Sequence, residues 1–279
     1  MTMKTAAGIN VHPIGIGTWT MGGVFLSDKS APFVELGGED KYIEAIRYSI
    51  SKGQNHIDTA FCYGLGHCEE IVGQAIKDLD RKKLFVASKV WKSHVKRTSV
   101  VRGIEDMLIR LKTNYLDLVY LHAYWDYEPL EEQIGGLNDA VEKGLVKAIG
   151  LSNYNLEQLM LAVMLTKHPI VALQNQYNVL VRTDVPKELL RYCQQHEITL
   201  VAYRPIAKGL LGDQCDNKVV LDLARKYNRT PAQIALNWLI SQKGVVAIPK
   251  SVKMEHIDEN LKSMDFVIDK IDRKRLDEI

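Results

Sequence analysis

Apolar residues along this chain cluster in short unbroken runs rich in β-branched side chains. The runs fall at residues 14–18, 56–59, 84–89, 116–121, 146–151, 170–174, 199–203 and 245–248. Strands with one wet face alternate apolar and polar positions, whereas strands covered on both faces read as continuous apolar stretches. The second pattern fits these eight segments. Between them the period changes. Residues 42–51 place Ile43, Ile46 and Ile50 three and four apart, and residues 101–111 do the same with Ile104, Leu108 and Leu111, which predicts amphipathic helices. Asn155, with Gln158 three positions later, predicts a capped helix start over 155–165. Thr230-Pro231 predicts another, with Thr as cap and Pro in the first turn, and a further helix is expected to begin near Lys253. Strands alternating with helices imply parallel βαβ units. Eight units with no linker between them predict a closed (β/α)8 TIM barrel rather than an open doubly wound sheet. The whole of 1–279 therefore reads as a single barrel domain.

One connection departs from this rhythm. Residues 22–38, between the first strand and its helix, are long for a barrel loop, and long loops often carry function. A tolerated surface insertion is the alternative.

Charge and composition then narrow the class. The 36 Lys and Arg nearly balance 34 Asp and Glu, which argues against a nucleic-acid partner. The apolar run at 159–165 is far too short to span a bilayer. The opening MTMKTAAGIN has no apolar core of the signal-peptide kind. Cys62, Cys68, Cys193 and Cys215 show neither CxxC nor metal-ligand spacing. Four reduced thiols in a cytoplasmic protein is the expectation.

Chemistry in such barrels sits at the C-terminal ends of the strands. Asp58 ends the second expected strand, and Tyr63 lies in the loop after it. Lys89 ends the third and His122 follows the fourth. Singly, each has an ordinary structural explanation: a cap, an ion-pair partner, a core histidine. Together, at successive strand ends, they make a set. A phenol near pKa 10 is a poor acid at neutrality. A nearby ammonium is expected to lower that value by about 1–3 units. Asp58 would hold Lys89 charged and aimed, Tyr63 would donate a proton, and His122 would orient the accepting oxygen.

These residues resemble the aldo-keto reductase superfamily. Residues 56–70, HIDTAFCYGLGHCEE, are similar to its active-site stretch, and Gly17-Thr18-Trp19 to its opening motif. Val146 through Tyr154 resembles its Gly-x-Ser-Asn segment, and Ile248-Pro249-Lys250-Ser251 its cofactor segment. The matches run over residues 14–260. The resemblance implies a (β/α)8 barrel with an N-terminal β-hairpin and extra helices, binding NADPH or NADP+ without a Rossmann unit, with NADH left open. Consistently, Gly64-Leu65-Gly66 lacks the third glycine of a dinucleotide fingerprint. By position, Asp58, Tyr63, Lys89 and His122 match the catalytic four. Gly17 and Thr18 fall in the opening motif at the cofactor. Ser152, Asn153 and Gln174 match the nicotinamide carboxamide ligands, and Tyr203 the ring that stacks on the nicotinamide. Residues 206–211, with Ile206, Gly209 and Leu210, match the segment around the pyrophosphate. Lys250 and Ser251 match the 2′-phosphate ligands, and Glu259 and Asn260 the adenine-edge residues. Lys250 and Ser251 also follow the eighth strand ahead of a helix, where barrels commonly bind phosphate.

Three departures stand out. Relatives usually carry arginine where this chain has His256. A mostly neutral imidazole offers less than a guanidinium fork, so weaker discrimination for NADPH over NADH is expected. Arg204 stands where serine is frequent, and its cation could serve the pyrophosphate or be solvated. No long C-terminal tail of the kind longer relatives fold over the pocket is evident, so an open pocket is expected, walled by Trp19, Trp91, Tyr124 and Trp125. The expected activity is reversible reduction of a small carbonyl substrate to an alcohol, by a monomer or a homo-oligomer. The rivals are a Schiff-base aldolase using Lys89 and a slow-turnover, redox-sensing nucleotide-binding subunit.

Overall fold

The computed structural model describes residues 4–6, 8–23 and 38–279. Most of the long connection at 22–38 lies outside the described residues. A two-stranded antiparallel hairpin comes first, β1 (Lys4–Ala6) and β2 (Ile9–Val11). Eight strands follow in one sheet: β3 (Ile16–Gly17), β4 (His56–Asp58), β5 (Phe85–Val90), β6 (Leu118–Leu121), β7 (Ile149–Ser152), β8 (Ile170–Gln176), β9 (Thr199–Tyr203) and β10 (Val245–Ala247). They pair in chain order, every neighbour parallel. A bridge from Ile14 to Ala247 joins the first strand to the last. The Gly15 N–H donates to the Ala247 carbonyl at 2.8 Å, and that of Gly17 to Pro249 at 3.0 Å. The sheet is therefore a closed barrel, as its continuous apolar runs predict. Closure needs a glycine at 17, because a Cβ there would lie 2.5 Å from the Ile248 oxygen.

Helices α1 (Glu39–Ser51), α2 (His67–Ile76), α3 (Arg97–Leu111), α4 (Leu130–Glu142), α5 (Leu156–Leu165) and α6 (Lys187–Gln195) connect successive strands. Two helices, α7 (Lys218–Tyr227) and α8 (Pro231–Ile240), lie between β9 and β10. Helices α9 (Met254–Leu261) and α10 (Lys270–Asp277) end the chain. Both expected caps form complete capping boxes, Asn155 with Gln158 and Thr230 with Gln233. Periodicity alone placed two starts late: α1 begins at Glu39 and α3 at Arg97, since their first turns are polar and exposed.

The apolar residues divide into two cores. One lies between sheet and helices. The other fills the barrel with Phe85, Ala87, Leu118, Tyr120, Ala172 and Val201, and Val11 of the hairpin packs against it. His56 is buried beside this inner core, edge-on to Phe85 at 5.2 Å between ring centres. Neither of its ring nitrogens has a hydrogen-bond partner among the described residues. Burial, foremost, holds its pKa down to about 4. Native His56 is thus neutral where the unfolded chain, with an ordinary histidine, takes up a proton. Its contribution is fully present above pH 6.5 and is lost as pH falls toward 4. His56→Leu should shrink the loss of unfolding free energy between pH 7 and pH 5 by about 2 kcal/mol. Urea unfolding of both proteins at the two pH values measures this, and parallel curves would refute it.

Candidate active site

Strand β4 delivers Asp58 and strand β5 delivers Lys89 to neighbouring strand ends at the barrel mouth. The side chain of Lys89 is fully buried and that of Asp58 nearly so. Lys89 Nζ donates to Asp58 Oδ1 at 2.5 Å and to the Thr59 carbonyl at 2.9 Å. It reaches the Tyr63 hydroxyl at 3.5 Å. The other carboxylate oxygen, Asp58 Oδ2, accepts from Gln174 Nε2 at 2.7 Å. His122 meets Tyr63 edge-on at 6.1 Å and Trp91 at 5.2 Å between ring centres. Its Nδ1 is 3.4 Å from Cys62 Sγ. Asp58, Tyr63 and His122, spread over 65 positions of sequence, thus line one cavity, and Lys89 lies buried behind that lining, joined to it through Asp58 and Tyr63.

Their electrostatics differ from the sequence-based expectation at one point. Burial pushes the Tyr63 phenol well above its ordinary value, and the Asp58 charge pushes the same way. The expected acidification by Lys89 is overturned. The ammonium is committed to Asp58 at 2.5 Å and touches the phenol only at 3.5 Å. Tyr63 is therefore a protonated phenol throughout the neutral range. Burial, then the Lys89 charge, holds His122 well below the usual histidine range, so its ring is neutral. Burial pushes the Cys62 thiol up, so it keeps its proton and can donate to Nδ1. In the tautomer in which the thiol donates, the ring proton sits on Nε2.

The cavity holds about 620 Å³. Of the expected residues, Gly17, Thr18, Trp19, Asp58, Tyr63, Trp91, His122, Ser152, Asn153, Gln174, Tyr203, Ile206, Gly209 and Lys250 line it. Trp125 stands behind Trp91, 5.9 Å between ring centres, and Tyr124 packs edge-on against Tyr154. Leu210 is outside the lining and half exposed. The Ser251 hydroxyl accepts from the Lys253 N–H at the start of α9. His256, Glu259 and Asn260 sit along α9 beyond the lining; Glu259 accepts from the Thr230 hydroxyl, and Asn260 is buried. Sequence reasoning did not single out Thr20, Ala123 or Pro205 as lining residues. Thr20 has φ 70°, a conformation with no sequence signal at a threonine.

Backbone strain concentrates on the same rim. Asn153, Arg204, Ala207 and Lys208 all have positive φ, and strained residues gather at functional sites. The cross-links holding Asn153 are visible. Its N–H donates to the Gln174 carbonyl at 3.0 Å and to Asn175 Oδ1 at 2.9 Å. Its Nδ2 donates to the His122 carbonyl at 2.8 Å, and its Oδ1 accepts from Tyr203 OH at 2.8 Å. The Arg204 guanidinium and the Lys208 ammonium both lie over the Trp19 ring, 5.3 and 5.6 Å from its centre. A primary amide has four hydrogen-bonding positions, so Asn153 and Gln174 retain capacity toward a ligand amide. A flat tyrosine ring, an amide cluster and three cations on one rim fit a nicotinamide dinucleotide in charge and shape. Among the described residues no three His, Cys, Asp or Glu side chains gather to hold a metal ion, and no helix is long and apolar enough to cross a membrane.

Fold and site together define a parallel-barrel enzyme with a buried lysine–aspartate pair and a proton-bearing phenol at its mouth. The chain belongs to the aldo/keto reductase family, whose sequence model matches residues 13–279. The methylglyoxal reductase YeaE of Escherichia coli is 31% identical over 254 residues, covering 90% of this chain and 85% of that protein. The thermostable aldo-keto reductase Tm1743, solved with the inhibitor epalrestat, superposes with TM-score 0.91 at 37% identity, covering 100% of this chain and 99% of that one. An aldo-keto reductase from Klebsiella pneumoniae solved with NADPH superposes with TM-score 0.86 at 33% identity, covering 100% and 95%.

Proposed function

We propose that this protein reduces small aldehydes or ketones to alcohols, reversibly, with NADPH as hydride source and Tyr63 as proton donor. The observation that carries the reading is the chain of contacts from Asp58 through Lys89 to the Tyr63 hydroxyl inside the lined cavity. NADPH would supply the hydride when bound, with Tyr203, Ser152, Asn153 and Gln174 around its nicotinamide and Lys250, Arg204 and Lys208 toward its phosphates. Tyr63 gives its proton to the carbonyl oxygen as charge grows there. Lys89 stabilises the phenolate left behind, Asp58 keeps the ammonium in place, and the His122 Nε2–H orients the oxygen. The fully buried Lys89, bound to a carboxylate, disfavours the Schiff-base alternative. A relative named methylglyoxal reductase and a Klebsiella relative solved with NADPH support short carbonyls and this nucleotide.

A screen of NADPH consumption over short aldehydes, α-dicarbonyls, sugars and aromatic aldehydes tests the reading. Turnover of α-dicarbonyls is expected. Tight NADPH binding with no turnover on any carbonyl would leave a nucleotide-binding subunit instead.

The raised phenol adds a directional prediction. Reduction uses the protonated form and should be flat in rate from pH 6 to 8. Alcohol oxidation needs Tyr63 to accept a proton, hence the phenolate, so its kcat should be low at pH 7 and climb with alkalinity. Rate profiles in both directions measure this; an oxidative rate independent of pH would exclude Tyr63 as the acceptor.

A further inference from the structure

Glu69 belongs to the motif at 56–70 but takes no part in the chemistry above. It is fully buried on the first turn of α2, six residues after Tyr63. One of its carboxylate oxygens accepts from the Ser88 hydroxyl, and Ser88 directly precedes Lys89 on β5. The other accepts from Arg110 Nε at 2.6 Å, at the end of α3. Arg110 in turn is enclosed by the tyrosine loop. Its guanidinium lies 5.0 Å from the centre of the Phe61 ring. Gly66 packs against it so closely that a Cβ there would come within 2.6 Å of Nε, and Gly66 has φ 97°. The loop residues on both sides of Tyr63 therefore rest on one guanidinium, and that guanidinium is tied through Glu69 to the strand that carries Lys89.

We propose that Glu69, with Arg110 and Ser88, is a positioning device that fixes the separation of the Tyr63 hydroxyl from Lys89. The proposal rests on the reading of that pair as the proton-transfer couple. A buried ion pair is weak evidence for stability, and its replacement by apolar groups of similar volume is often neutral. What a charged, directional three-way contact does supply is geometry. The phenol stands 3.5 Å from the ammonium, the edge of a useful hydrogen bond, where small shifts in the loop have large kinetic effects.

The same point makes the test clean. The double variant Glu69→Leu/Arg110→Met removes the pair without leaving a lone buried charge, so it is expected to fold and to bind NADPH with a dissociation constant within twofold of wild type. Its kcat should fall by about tenfold, with little change in nucleotide KM. The titration of Tyr63, followed by 13Cζ-tyrosine NMR with Tyr63→Phe as the assignment control, should move as well. Ser88→Ala changes no charge and cuts only the tie to the strand of Lys89, so it should shift kcat and titration in the same directions and covers the case of a double variant that does not fold. Folded, NADPH-binding variants with unchanged kcat and unchanged Tyr63 titration would overturn the proposal. Wild-type protein inactive on every carbonyl would sink the reductase reading alone, since a Tyr63 titration displaced in Ser88→Ala would still support the positioning role.

Discussion

Tyr63→Phe should lower kcat for carbonyl reduction by about a thousandfold while leaving the NADPH dissociation constant within twofold. The magnitude follows from what the phenol does. General acid catalysis is worth about 10²–10⁴ in rate, and in this cavity Tyr63 is the protonated acid closest to the Lys89–Asp58 pair. His122 is neutral and would offer only the proton of an imidazole, so it cannot substitute at comparable rate. Phenylalanine keeps the ring that meets His122 edge-on and removes a single oxygen. The groups proposed to hold the nucleotide lie on β7, β8, β9 and the loop after β10, remote in sequence from the substituted loop. Steady-state kinetics together with fluorescence titration of NADPH separate the two effects. Loss of binding along with turnover would make Tyr63 a structural residue; retention of turnover would assign the proton to another group.

The strands were the most legible part of this fold because burial on both faces writes itself into sequence as an unbroken apolar run. All eight occur where those runs predict them. The capped helices were legible for a different reason: Asn155 and Thr230 are side chains whose chemistry is local, so three residues of spacing identify them. The beginnings of α1 and α3 were not, since an exposed polar first turn has no period to read. At the site, residue type and strand order sufficed to gather Asp58, Tyr63, Lys89 and His122, because a parallel barrel brings every strand's C-terminal end to one mouth. The sign of the Tyr63 shift was not accessible in this way. It is set first by how completely the phenol is buried and then by the nearby Asp58 charge, and no spacing in the sequence encodes either. Thr20 and the strained rim at Arg204, Ala207 and Lys208 were hidden for a related reason, as their backbone conformations are imposed by tertiary contacts rather than by their own preferences.

Lys89→Met should do two separable things. It should destabilise the protein by about 3–5 kcal/mol, the range for breaking a buried ion pair on one side, because Asp58 remains buried with, among the described residues, only Gln174 Nε2 to satisfy its charge. It should also lower kcat by about a hundredfold or more, since the phenolate formed on Tyr63 loses the only ammonium within hydrogen-bonding reach among the described residues. Stability and catalysis can then be pulled apart with the double variant Asp58→Asn/Lys89→Met. Removing both charges leaves a neutral amide that can still meet Gln174, so thermal stability should recover most of the way toward wild type. Activity should not recover, because the amide restores packing and polarity but no positive charge. Melting temperatures and kcat for the two variants decide the matter. If the double variant regained turnover along with stability, the ammonium would be a folding element only, and the phenol would work without it. If the single variant were as stable as wild type, the Lys89–Asp58 contact would contribute nothing to folding, and the electrostatic account of this site would fail at its first contact.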